Sequence, residues 1–82
     1  MSTIKTNSID PDADAAYLRL SDEPVARTKE RAGGIIVDYG ADGEPVGVEV
    51  LAVRRRVGTG EPNSYLRGLV EGLLVPLREA AE

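Results

Sequence analysis

The chain contains no cysteine, no histidine, no tryptophan and no phenylalanine. Each absence excludes something. Without cysteine there are no disulfides, and without cysteine or histidine the usual ligands of a structural zinc site are missing. A Ser-His-Asp triad, a Cys-His pair and a histidine general base are impossible within the chain, which leaves carboxylate, lysine or tyrosine chemistry open. Three tyrosines (Tyr17, Tyr39, Tyr65) are the only aromatics, so the core has to be built from Val, Leu, Ile and Ala. No apolar run has the length of a signal peptide or approaches that of a transmembrane helix. The expectation is a cytoplasmic protein with no cofactor and no membrane association.

The length of 82 residues fits one domain. A chain of this size buries only roughly 60–65% of its unfolded surface. Thin cores of this kind commonly gain stability from disulfides, metals or oligomerisation. With the first excluded and the second disfavoured, a homodimer is the expectation. The net charge of −4 argues against general nucleic-acid binding, which normally goes with a basic stripe.

From Ile9 to Val53 the chain reads as a series of short antiparallel strands. Thr3 to Ile9 forms a first strand with Ile4 and Ile9 as apolar anchors, and Asp10-Pro11-Asp12 makes a turn in which the Asp10 carboxylate accepts a backbone N–H two residues on. Ala15 to Ser21 alternates, with Ala16, Leu18 and Leu20 on one face and Tyr17, Arg19 and Ser21 on the other. Asp22-Glu23-Pro24 turns again. Val25 to Arg31 places Arg27, Lys29 and Arg31 on one face with Thr28 and Glu30 opposite, which suits a charge-protected edge strand or a loop. Ile35 to Tyr39 is apolar on both faces and is the most buried-looking strand. After the hairpin loop Gly40 to Gly43, Val46 to Val53 puts Val46, Val48, Val50 and Ala52 on one face.

Arg54-Arg55-Arg56 closes the sheet block, and residues 54–63, with Gly58-Thr59-Gly60, form a joint. Asn63 or Ser64 caps a helix from Ser64 to about Ala80. Tyr65, Leu66, Leu69, Val70, Leu73, Leu74 and Leu77 recur at spacings of three and four and give it a broad apolar face. Gly68 and Gly72 weaken it by about 1 kcal/mol each relative to Ala, and Pro76 predicts a kink or break. Such a helix must lie on a sheet, its own or a neighbour's. The fold expected is therefore α+β: a curved antiparallel sheet of four to five short strands over 3–53, then one C-terminal helix over 64–80, in a single domain.

Several patterns invite a chemical reading. Asp10-x-Asp12-x-Asp14 has the opening of a calcium loop, but the positions that an EF-hand gives to Gly and Glu hold Ala15 and Ser21; a solvated turn is the better reading. Asp38 and Glu49 fall on neighbouring predicted strands, where paired carboxylates serve acid/base work or hold magnesium. With Tyr39 they form the one candidate enzyme site. Arg54, Arg55 and Arg56 form a possible anion contact, including the phosphates of a nucleic acid, or a solvated strand end. The glycine pairs lack the GxGxxG and GxxxxGK[ST] spacings and are turns. The helix stripe Tyr65, Leu66, Leu69, Val70, Leu73, Leu74 and Leu77 is a possible partner interface as well as a cover for the chain's own sheet.

Read in order, Asp10-Pro11 with Asp12 and Asp14, Tyr17-Leu18-Arg19-Leu20-Ser21, Pro24-Val25-Ala26, Gly34 to Tyr39, Asp42-Gly43 and Val46 to Leu51 resemble the small bacterial "domain of unknown function 2283" family. Ile9, where that family commonly has Tyr, and Gly40, where it usually has an acidic residue, depart from its pattern without changing the strand reading. The resemblance implies a compact β-rich fold and no established activity. Some members are thought to be encoded beside small toxin-like proteins, so it also implies an antitoxin-like role. Arg54 to Glu82 lie outside it. The functional expectation is a non-enzymatic, homodimeric protein-interaction module with a small protein as possible partner; the alternatives are a small-ligand or metal-assisted enzyme and, more weakly, nucleic-acid binding through the arginines.

Overall fold

The computed structural model describes residues 4–81, with side chains described as far as Gly72. Five strands form one sheet: β1 (Thr6–Asp10), β2 (Ala15–Arg19), β3 (Arg27–Ala32), β4 (Ile35–Tyr39) and β5 (Pro45–Leu51). Two helices follow, α1 (Val53–Val57) and α2 (Pro62–Ala81). The strand order is β1-β2-β5-β4-β3, and every neighbouring pair is antiparallel. The α+β, β-rich expectation holds, with two helices where one was expected.

The order follows from local chemistry. β1 and β2 form a hairpin across the Asp10 turn, where the Asp10 carboxylate accepts the backbone N–H of Asp12 at 3.0 Å and of Ala13 at 3.2 Å. β3, β4 and β5 form a meander through Gly34, at φ 77°, and Gly43, at φ 85°, a region open to glycine at little cost. β5 then inserts beside β2, so the last strand is central and the polar strands β1 and β3 fall at the edges. All five β1 residues and all six β3 residues are exposed.

Alternation sets the two faces. Ala16 and Leu18 of β2, Ile35, Val37 and Tyr39 of β4, and Val48 and Val50 of β5 pack into one core with Val53 of α1 and Leu66 and Val70 of α2. Leu18, Val37, Val48, Val50, Leu66 and Val70 have no exposed surface. Burying an aliphatic side chain contributes about 1.5–3 kcal/mol, so this layer supplies most of the cohesion. The Tyr39 ring closes it toward β3, where the Arg27 guanidinium stands 5.8 Å from the ring centroid.

Three boundaries differ from the sequence expectation. Among the described residues the sheet begins at Thr6, the expected start at Thr3 lying outside them, and it ends at Leu51 rather than Val53. Ala52 adopts a left-handed conformation (φ 57°, ψ 50°) that ends β5. The arginines expected at a strand end and joint instead lie in α1. That helix is secured from far away in sequence: the Val53 N–H donates to the Asp14 carbonyl at 3.0 Å, and the Arg54 N–H donates to the Asp14 carboxylate at 3.0 Å.

Helix α2 starts at Pro62, and its cap is Glu61 rather than Asn63 or Ser64. The Glu61 carboxylate accepts the N–H of Ser64 at 2.8 Å, that of Asn63 at 3.1 Å and the Ser64 hydroxyl at 2.9 Å. Those bonds, led by the one from the Ser64 backbone, hold its pKa below the usual 4.5. Proline at the first helical position needs no amide donor and is preset in φ. The helix is one span through Pro76 to Ala81, with no break at the proline. No described helix is long and apolar enough to cross a membrane.

Candidate functional site

The face of the sheet opposite the helices carries a polar cluster that links three strands. The Tyr17 hydroxyl on β2 donates to one oxygen of Asp38 on β4 at 2.7 Å. The Thr28 hydroxyl on β3 donates to the other at 2.6 Å. Thr28 stands directly opposite Asp38, and Asp38 opposite Gly47 of β5. Tyr17 lies two strands from Asp38, so its ring must cross β5, and Gly47 makes that possible. A Cβ there would meet the Tyr17 hydroxyl oxygen and fall 2.6 Å from Cζ. A glycine inside a strand often marks such a close approach. Burial, then the bond to Asp38, push the Tyr17 pKa above 10.0 against an opposing pull from Arg19.

Chemically this cluster is a clamp rather than a free base. Both Asp38 oxygens are occupied, and Tyr17 is held neutral as a donor. Glu49 shares the face, opposite Tyr17 on one side and Ile36 on the other, one diagonal step from Asp38. Tyr39 does not join them. Its side chain is on the helix side, fully buried, with a hydroxyl that has no partner among the described residues. Asp38, Glu49 and Tyr39 therefore do not converge on one pocket.

Arg54, Arg55 and Arg56 are consecutive on α1 but point to different work. The Arg54 guanidinium donates to the Pro11 carbonyl at 2.7 Å and stands 3.8 Å from the Asp14 carboxylate. Arg56 donates to the Leu51 carbonyl at 2.7 Å and also to the Gly33 carbonyl, tying the β3–β4 turn to the end of β5. Arg55 is exposed. Asp10, Asp12 and Asp14 separate likewise: Asp10 caps its own turn and Asp14 caps α1. No described group of three or more acidic residues is placed to hold a metal ion.

Of the apolar stripe on α2, Leu66 and Val70 are fully buried, and Tyr65 and Leu69 are half-buried at the margin of the same core. The side chains of Leu73, Leu74 and Leu77 lie outside the described residues. Two cavities flank β1 on the helix side. One of about 350 Å³ is lined by Ile9, Pro11, Val53, Val57 and Pro62 among others. The other, about 200 Å³, is lined by Ile4, Lys5, Asn7, Asn63 and Arg67 among others. Between them the Asn7 amide donates to the Asn63 side-chain carbonyl at 2.8 Å, which places the start of α2 over β1.

The sequence pattern singles out neither Thr28 nor Gly47, and gives Tyr17 only its face and its place in the strand that resembles the family. The one available signal was Gly47 interrupting an otherwise valine-rich strand. No curated protein matches the chain. No solved structure matches it either. The family described as "Protein of unknown function (DUF2283)" matches residues 8–54, a span that holds all of β2 to β5, the Tyr17–Asp38–Thr28 clamp and the Asp14 cap. With more than half of its length in that match, the chain belongs to the DUF2283 family.

Proposed function

We propose that the chain is a non-enzymatic protein-interaction module that works as a homodimer in the cytoplasm. The observation that carries this reading is the length of α2. Twenty helical residues span about 30 Å. Five strands make a sheet only about 19 Å wide at the usual spacing, and the longest strand, with seven residues, is about 23 Å long. The fully buried residues of α2 among those described, Leu66 and Val70, sit one turn apart in its first half. The apolar sequence continues through Leu73, Leu74 and Leu77, beyond what so small a sheet needs for cover. A surplus apolar helix on a thin core favours association.

The occupied carboxylate of Asp38 and the separation of Tyr39 from it favour a structural over a catalytic use of these groups. The test is the native mass of the untagged chain at micromolar concentration. A dimer is the expected result, and a monomer would overturn the reading. A complex with a small second protein would select the narrower, antitoxin-like form of it.

A further inference from the structure

We infer that two copies join edge to edge through β1, paired antiparallel about a two-fold axis at Ser8, so that two five-stranded sheets become one of ten strands. The inference rests on the homodimer reading above and assigns the surface it uses. Among the described residues β1 has β2 as its only strand neighbour. Its other side presents unpaired backbone donors and acceptors, a template for a further strand.

The two edges are not equivalent, and symmetry shows why. A two-fold axis perpendicular to a sheet keeps paired side chains on one face, so odd-numbered positions meet odd-numbered ones. In β3 those positions are Arg27 and Lys29, then Arg31 at an irregularity in the pairing with β4. Every register centred on Arg27, Thr28 or Lys29 sets a basic residue against a basic residue, which is unfavourable. The bulge adds further protection. Self-pairing of β3 is thus blocked by charge.

β1, Thr6-Asn7-Ser8-Ile9-Asp10, has no bulge, no proline and no charge before Asp10. Centred on Ser8, Thr6 meets the second copy's Asp10, and Asn7 meets its Ile9. Lys5 then falls opposite the second copy's Pro11, so this register sets no like charges against each other, unlike those of β3. Ile9 adds an apolar term. It is 41% exposed although it stands opposite Ala16, which is buried. The pairing brings each Ile9 beside the second copy's Asn7 and over the mouth of the smaller cavity. Because Asn63 is bonded to Asn7, the starts of both α2 helices come to lie beside the axis on one face.

The chain's lack of cysteine makes a direct test clean. Single variants Ser8→Cys on β1 and Thr28→Cys on β3 are oxidised under mild conditions as purified full chains. Directly opposed Cβ atoms about 4.5–5.5 Å apart come within reach of the disulfide range of about 3.5–4.5 Å with small adjustments. Ser8→Cys is expected to become a covalent dimer at least about tenfold faster than Thr28→Cys, which encounters its like only by collision. A separate Ser8→Lys variant sets two ammonium groups against each other at the axis and should weaken dimerisation by roughly three- to tenfold, with the far-ultraviolet spectrum unchanged. A native dimer in which Ser8→Cys cross-links no faster than Thr28→Cys would overturn the edge pairing and leave the homodimer intact. A native monomer would overturn both.

Discussion

Leu18 and Tyr17 are consecutive residues of β2, yet they hold the fold together in opposite ways. Leu18 faces the helices and is buried without a trace of exposure among aliphatic side chains. Tyr17 faces away, half-buried, and stabilises through one directed hydrogen bond to Asp38. The helix face is cohesive because apolar area leaves water, a non-directional effect that tolerates exchange of one aliphatic residue for another of similar volume. The opposite face depends on position. Tyr17, Asp38 and Thr28 link β2, β4 and β3 across the glycine in β5, so each part fails if one is moved. The lesson is that a small sheet with a single covering layer can use a polar strap on its open face to hold an exposed edge strand in register.

The contrast can be broken at both ends. Leu18→Ala should have the largest effect, about 2–5 kcal/mol of lost stability, read by urea denaturation. Gly47→Ala should cost less, about 1–2 kcal/mol, because the new Cβ displaces the Tyr17 ring and leaves Asp38 without one of its donors. In a Tyr17→Ala background the same substitution should become neutral or stabilising, since glycine is unfavourable inside a strand once no ring crosses it. Tyr17→Phe should cost about 0.5–1.5 kcal/mol, the net worth of one hydrogen bond.

pH sharpens the same contrast. The folded-state pKa of Tyr17 is raised above 10.0, so its contribution is fully present below that value and is lost as pH rises through the folded pKa. The stability difference between the native chain and Tyr17→Phe should therefore close in alkali, while the deficit of Leu18→Ala persists. The smallest effect belongs to neither face. The Glu61 cap has a pKa below 4.5, so its contribution is present above that value and fades as pH falls through the folded pKa. Circular dichroism should show the native chain losing helix in that acid window, with Glu61→Gln already lacking the acid-dependent part.

Much of this architecture is legible in the residues. The alternation of Ala16 and Leu18 with Tyr17 and Arg19, and the apolar stretch Ile35 to Tyr39, correspond to β2 and β4 because their period matches the pleat. The basic positions of β3 mark an edge. What the local pattern does not carry is contact at long range. Arg54 to Arg56 become helical because Asp14, 40 residues before Arg54, caps α1 once β2 and β5 have paired. Glu61 is not among the favoured capping residues, and only the Pro62 that follows it hints at the helix start. The clamp is hidden more deeply. Tyr17 and Asp38 meet only because β5, the last strand in sequence, inserts between theirs, and nothing within either strand announces that order.

The two edges of the sheet decide whether the molecule works as a pair. Amide hydrogen exchange of the native chain, followed strand by strand at high and low protein concentration, tests this most directly. Edge pairing predicts that β1 amides are protected at high concentration and lose that protection on dilution, while the outward amides of β3 exchange quickly at both. β1 amides that exchange as fast as those of β3 at every concentration would contradict it.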